Sequence, residues 1–232
     1  MKTVISDANK VNENAAQHIK SLLAEKPDAV LAFSSGRSMT GLFSLLSDMS
    51  ARGELDLSKA RVFAVTEYVG VPYDLSCRRQ IEQELLNRVG VPVENRYFPP
   101  EDNFEQYDAQ IAALGGIDLA VIGIGHNGHV GYNEPGTQYD SETRLQKLAP
   151  ATRRQLADSF GGEEKVPENA VTMGIKTLVD ARNIIVLAFG KDKAGAVYQM
   201  LYARDDSIIP AAFLQLPMNV TVLADNDAAS ML

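Results

Sequence analysis

The sequence contains a single cysteine, Cys77, among 232 residues. One thiol excludes an internal disulfide, suits a reducing compartment and, with few histidines about it, offers no zinc site. Also missing is any run of about 18 consecutive apolar residues, so no membrane-spanning helix and no membrane partner is expected. The opening MKTVISDANK has two basic residues, Lys2 and Lys10, and no apolar stretch of the secretory type, which makes a cytoplasmic location the expectation. Basic residues are in deficit. Lys and Arg number 22 against 30 Asp and Glu, a net charge of −8 that repels a phosphate backbone and argues against nucleic acid as a partner, local clusters such as Arg153 and Arg154 aside. Low-complexity tracts, internal repeats and linkers are absent. What remains, 45% hydrophobic and 22% charged residues, is ordinary for a soluble globular chain, and residues 1–232 are expected to form one domain.

The chain is organised around residues 118–135, DLAVIGIGHNGHVGYNEP. Leu119, Ala120, Val121 and Ile122 show no polar alternation, as in a strand of a parallel sheet buried on both faces. Gly123, Gly125, Gly128 and Gly131 follow, and a glycine-rich turn at the carboxyl end of a parallel strand lets the backbone approach a ligand closely. His129 and Glu134 in the same loop are the imidazole and carboxylate that proton transfer on a sugar or carbonyl compound requires.

Elsewhere, helical spacing predicts a helix over residues 7–25, capped by Asp7. A strand at 29–33 runs into Ser34-Ser35-Gly36-Arg37-Ser38 and a helix at 39–52. That turn is either an anion site, with backbone N–H groups, hydroxyls and the Arg37 charge converging on one point, or a plain helix cap made by Ser35 or Ser38. A strand at 60–65 delivers Thr66, Glu67 and Tyr68 to its carboxyl end. Residues 75–89 read as helix, 95–98 as a short strand and 102–114 as helix. Residues 141–166 are polar, contain Gly161-Gly162 and lack a convincing strand; they form a lid over the site or a solvated excursion. Residues 170–172 lead into a helical segment at 173–178, with Thr172 as its cap. After a strand at 183–189, Gly190-Lys191-Asp192-Lys193 opens a helix reaching Tyr202. A packed segment at 207–216 and a strand at 220–223 complete the chain. This alternation predicts an α/β fold: a doubly wound, mostly parallel, Rossmann-like sheet with helices on both faces.

Four blocks, FSSGRSMTGL at 33–42, FAVTEYVG at 63–70, GIGHNGHVGYNEP at 123–135 and GKDKA at 190–194 with Leu214-Gln215-Leu216 beyond, resemble the glucosamine-6-phosphate deaminase and isomerase family. That family is the amino-sugar-phosphate branch of a fold shared with 6-phosphogluconolactonases. The resemblance covers most of the chain, and Asn133-Glu134-Pro135 selects the deaminase branch. Asn127-Gly128 is more similar to members assigned to galactosamine 6-phosphate.

The resemblance implies an isomerising deaminase that turns an amino-sugar 6-phosphate, galactosamine or glucosamine 6-phosphate, into a ketose 6-phosphate and ammonia, with no cofactor and no metal. It implies that His129 shuttles the ring proton, that Glu134 and Asn127 support it, and that Ser35, Gly36, Arg37, Ser38 and Lys193 hold the phosphate while Gly125 and Gly128 bring backbone to the ligand. Asn127 stands where an aspartate is usual, so His129 is expected to be less basic than in those relatives. The stretch matching a lid arginine reads Ala157-Asp158-Ser159-Phe160, and Arg37 is the candidate to replace that charge. Thr66 stands at the position of the aspartate that takes the C2 proton, and a hydroxyl is too weak a base for that step unaided. Either the base has been removed, or Glu67 has taken over, or a different reaction is run. Two other readings stay open: a lactonase-like hydrolase in which His129 activates water, and a sugar-phosphate-binding regulator. A monomer or small homo-oligomer is expected.

Overall fold

The computed structural model describes residues 1–203 and 209–232. In chain order the strands are β1 (Lys2–Ser6), β2 (Val30–Phe33), β3 (Arg61–Ala64), β4 (Thr66–Tyr68), β5 (Arg96–Tyr97), β6 (Leu119–Gly123), β7 (Arg144–Lys147), β8 (Asn169–Thr172), β9 (Ile184–Ala188) and β10 (Val220–Asp225). The helices are α1 (Ala8–Glu25), α2 (Arg37–Ala51), α3 (Cys77–Ile81), α4 (Phe104–Ala113), α5 (Pro150–Phe160), α6 (Ile175–Val179) and α7 (Ala194–Tyr202).

The uninterrupted apolar runs lie where burial on both faces demands them. A seven-stranded parallel sheet runs β1-β10-β9-β6-β2-β3-β5, with β2 and β9 wholly buried at its centre. One face is covered by α1, α2 and α3, whose Ile19, Leu42, Phe43, Leu46 and Ile81 pack on Leu31, Phe33 and Val121. The other is covered by α4, α6 and α7, through Tyr107, Ile111, Leu178, Val197 and Met200 against Val30, Ala120, Ile122 and Val186. Each such fully buried aliphatic side chain contributes about 2 kcal/mol. The doubly wound architecture is as the alternation of elements predicts, and Asp7 caps α1, its Oδ1 accepting from Lys10 N at 3.0 Å.

Several local expectations change. β1 was not expected, because Lys-Thr-Val-Ile-Ser has no apolar run; as an edge strand it needs only one partner, β10. Residues 66–68 do not merely end β3. They form β4, which pairs antiparallel with β8, itself paired with β7, in a second sheet of three strands. Residues 141–166 therefore do contain a strand. β7 is an edge strand with Leu145 47% exposed, so its four residues carry no continuous hydrophobic signal. Gly36, not Ser35 or Ser38, is the N-cap residue of α2, with no side-chain capping bond. Gly174, not Thr172, precedes α6, and the Thr172 hydroxyl donates to Met173 O instead. Residues 75–89 are helical only in pieces, α3 passing into a π-type turn over Glu82–Leu86. Of the segment expected at 207–216, Ser207 and Ile208 lie outside the described residues and Pro210–Gln215 is a 3₁₀ turn.

Candidate active site

The strand order reverses between β2 and β6: from β2 the chain continues outward through β3 and β5, and from β6 through β9 and β10. Turns that leave adjacent strands in opposite directions open a crevice at their carboxyl ends. The two turns singled out by sequence, 34–38 after β2 and 124–129 after β6, meet there. They border a cavity of about 770 Å³, ample for a phosphorylated hexose.

The cavity is lined by Ser35, Gly36, Arg37 and Ser38, by Lys193 and by Arg79 of α3. Gly36 has φ 100°, a region that side chains disfavour, and this turns the chain so that α2 starts at Arg37 with its N-terminus toward the cavity. The Lys193 side chain is only 14% exposed, with Nζ 3.2 Å from Asp192 Oδ2. Ser34 is a further cavity residue that sequence reasoning left as part of the turn: it is buried, and its Oγ has no hydrogen-bond partner among the described residues. An unpaired buried hydroxyl costs free energy until a ligand pairs it.

His129 lines the same cavity. Its ring rests against Gly125, where a Cβ would come within 2.4 Å of the imidazole nitrogens, so this glycine is required. Asn127 Oδ1 accepts from His129 N at 3.2 Å, and Asn127 Nδ2 donates to Glu134 Oε2 at 2.9 Å. Glu134 Oε2 lies 3.7 Å from His129 Nδ1, and its Oε1 accepts from Ala149 N, at the start of α5, at 3.1 Å. From α5 itself comes Thr152, whose hydroxyl sits 3.3 Å from His129 Nδ1. Burial pushes the imidazole down to about 4; Glu134 pulls it up, while Lys193 and His126 push it further down. Burial thus favours the neutral form of the imidazole. Asn127, Gly128 and Glu134 support this loop from behind rather than lining the cavity, with Gly128 N bonded to Gly125 O at 3.0 Å and Gly128 O accepting from Ala211 N at 2.9 Å. Asn133 staples it, donating to Val130 O and Met173 O and accepting from Arg144. His126 points elsewhere, its Nδ1 hydrogen-bonded to Gln155.

Thr66 and Glu67, adjacent on β4, point to opposite sides. Thr66 is buried on the cavity wall, its hydroxyl donating to Cys77 Sγ at 3.7 Å, and burial with the Glu67 charge pushes that thiol up to about 12. Glu67 faces away. Its Oε1 accepts from Tyr68 N at 2.7 Å and Cys77 N at 2.9 Å, and its Oε2 from Arg78 N at 2.8 Å. Burial raises its carboxyl above the ordinary range against the pull of those donors. Tyr68 and Tyr132 share a short hydroxyl-to-hydroxyl hydrogen bond on the cavity wall. From residues 141–166, α5 contributes Thr152, Gln155, Leu156, Ser159 and Phe160 to the lining of the cavity. No signal in the sequence pointed to Thr152, because its role depends on how α5 folds over His129. Among the described residues no group of three His, Cys, Asp or Glu side chains is placed to hold a metal ion, and no helix is long and apolar enough to cross a membrane.

The turn at 34–38 and the loop of His129 meet at the switch point of a doubly wound α/β sheet, and comparison with known sequences defines the class of protein. The profile of the glucosamine-6-phosphate isomerases/6-phosphogluconolactonase family matches residues 6–223, and the chain belongs to that family. It is 37% identical to the glucosamine-6-phosphate deaminase of Pseudarthrobacter chlorophenolicus, over 99% of this chain and 91% of the relative. It is 36% identical to that of a Geobacillus species, over 96% and 92%. A solved monomeric glucosamine-6-phosphate deaminase of the NagB superfamily superposes with TM-score 0.96 at 31% identity, covering all of both chains. The 6-phosphogluconolactonase of Thermotoga maritima shares the fold alone, with TM-score 0.76 and 21% identity over 97% and 99% of the two chains.

Proposed function

We propose that the chain is an isomerising deaminase that converts an amino-sugar 6-phosphate and water into a ketose 6-phosphate and ammonia. The observation that carries this reading is the buried, neutral His129, backed by Asn127 and Glu134, facing the same cavity as the turn at 34–38 and Lys193. In this reading the phosphate lies on the N-terminus of α2 with Arg37 and Lys193 as counter-charges. His129 accepts the proton of the C1 hydroxyl and returns it to the ring oxygen as the C–O bond opens. The C2 proton then leaves, C1 gains one, and the resulting C2 imine is hydrolysed, releasing ammonia. Residues 141–166 act as the lid that keeps bulk water from these steps. Galactosamine 6-phosphate is the proposed preferred epimer, on the strength of Asn127-Gly128, with the protein acting as a cytoplasmic monomer.

Thr66 favours a second reading, in which the sugar phosphate is held but turned over slowly. Its hydroxyl is engaged with Cys77, and neighbouring Glu67 is occupied by backbone N–H groups on the far side of β4. One experiment tests both readings: ammonia release and solvent deuterium incorporation at C2, with each epimer. Ammonia release at ordinary turnover numbers supports the deaminase. Binding with negligible exchange supports the second reading. Hydrolysis of a 6-phosphosugar lactone without any ammonia would overturn both.

A further inference from the structure

The turn that faces the phosphate end of the cavity is held by a residue from outside it. Gly36 provides both peptide groups for this contact. Gln80 Oε1 accepts from Gly36 N at 2.7 Å, and Gln80 Nε2 donates to Gly36 O at 3.2 Å. A carboxamide that bonds both groups of one residue acts like a rung of a β-ladder and fixes the peptide in two directions. The brace continues beyond it. Gln80 Nε2 also donates to Glu84 Oε2 at 3.2 Å, and the same oxygen accepts from Thr40 Oγ1 on α2 at 3.4 Å. Gln80 belongs to α3, whose first N–H groups, those of Cys77 and Arg78, are held by Glu67. Glu67 is adjacent to Thr66, so one short helix connects the Thr66 wall of the cavity to the turn at 34–38.

The side chains of the turn do not provide this restraint themselves: the N-cap position is a glycine, without a capping bond. Its φ of 100° is open to glycine along with a wide range of neighbouring angles, so an external contact has to choose among them. We infer that Gln80 is a positioning residue for anion binding, fixing the Gly36 peptide so that the N-terminus of α2 and Arg37 converge on the phosphate of the substrate. This rests on the assignment of residues 34–38 as the phosphate end. The opposite role is also defined by the geometry: Gln80 Oε1 takes an N–H that a phosphate oxygen could use, and a mere placeholder would compete with the ligand.

Calorimetric titration with a non-reacting alditol 6-phosphate separates the two roles, alongside steady-state kinetics on the amino-sugar phosphate. Gln80→Met, similar in length and without donor or acceptor, is expected to weaken binding about tenfold and raise KM by a similar factor, with kcat within about twofold. Glu84→Ala, which leaves Gln80 in place but frees it from α2, is expected to give a smaller loss in the same direction and serves if Gln80→Met does not fold. Inorganic phosphate, used as a competitor, should weaken in step with the alditol phosphate. Unchanged or tighter binding in a folded Gln80→Met variant overturns the inference while leaving the proposed function standing. A fall in kcat with KM unchanged also overturns it. If the unmodified protein binds no alditol 6-phosphate, the phosphate assignment fails and the role of Gln80 fails with it.

Discussion

His129 must be neutral to take a proton, and the fold enforces this by burying it, which brings its pKa to about 4. The unfolded chain binds that proton near the ordinary histidine value of about 6.5. Between those values the unfolded state carries more protons, so stability falls as pH drops, by about 3 kcal/mol once pH 4 is reached. Urea midpoints at pH 7 and pH 4.5 should therefore differ less in His129→Gln than in the unmodified protein. The same substitution should abolish turnover of the closed sugar, whereas His126→Gln, which removes only a bond to Gln155, should not. Equal losses would mean that the two histidines have been given each other's roles. At Thr66 the expected effect is a gain. Thr66→Asp should speed C2 exchange and ammonia release, since a positioned general base typically contributes about a hundred- to ten-thousand-fold. Exchange in the unmodified chain that Glu67→Gln abolishes would make Glu67 the base.

Among the α-helices, α3 is the shortest that lines the site, and five residues cannot hold a helix by propensity alone. Glu67 at its N-terminus and Ser76 as its cap compensate, the latter through a bond from Arg79 N at 2.9 Å. Glu67→Ala should cost about 2 kcal/mol in urea unfolding, because it leaves the inward N–H groups of Cys77 and Tyr68 without their acceptor. Residues 148–166 are a different kind of element. Leu148, Phe160 and Val166 form a small cluster with Tyr132 and Ala170, separate from the two clusters that flank the main sheet. A satellite cluster of this size opens more readily than the sheet. Amide exchange over residues 148–166 should be faster than over β6 and β9, and should slow on addition of an alditol 6-phosphate. No slowing would count against the lid.

The whole molecule divides its tasks between the two ends of the parallel sheet. At the amino end of β6 the buried Asp118 accepts from Lys26 Nζ at 2.7 Å, Arg182 Nη1 at 2.9 Å and Val30 N at 2.8 Å. Burial works against the charge, but Lys26, the Val30 N–H and Arg182 together hold the carboxyl below its ordinary range. Asp118→Asn should therefore destabilise by about 2 kcal/mol at neutral pH, with kcat and KM little changed. At the carboxyl end, the buried Ser34 hydroxyl on the cavity wall has no hydrogen-bond partner among the described residues. A large change in KM for Asp118→Asn would show that the two ends are coupled.

The sequence by itself determined the elements with strong local signals and the residues with distinctive chemistry. Runs such as Ile184–Ala188 can only be buried strands, glycines beside His129 can only be a close turn, and together these placed the loop of His129 and Glu134 and the turn at 34–38. The tertiary structure decided which polar groups meet. Nothing in the local pattern pairs residues 66–68 with 170–172, directs Glu67 to the backbone of α3, lays Thr152 on His129, or joins Gln80 to Gly36 across 44 positions of chain. The reason is physical. Apolar burial is a property of each segment's own spacing, whereas a hydrogen bond between distant polar side chains exists only once the strand order and the path of each crossover have brought them together.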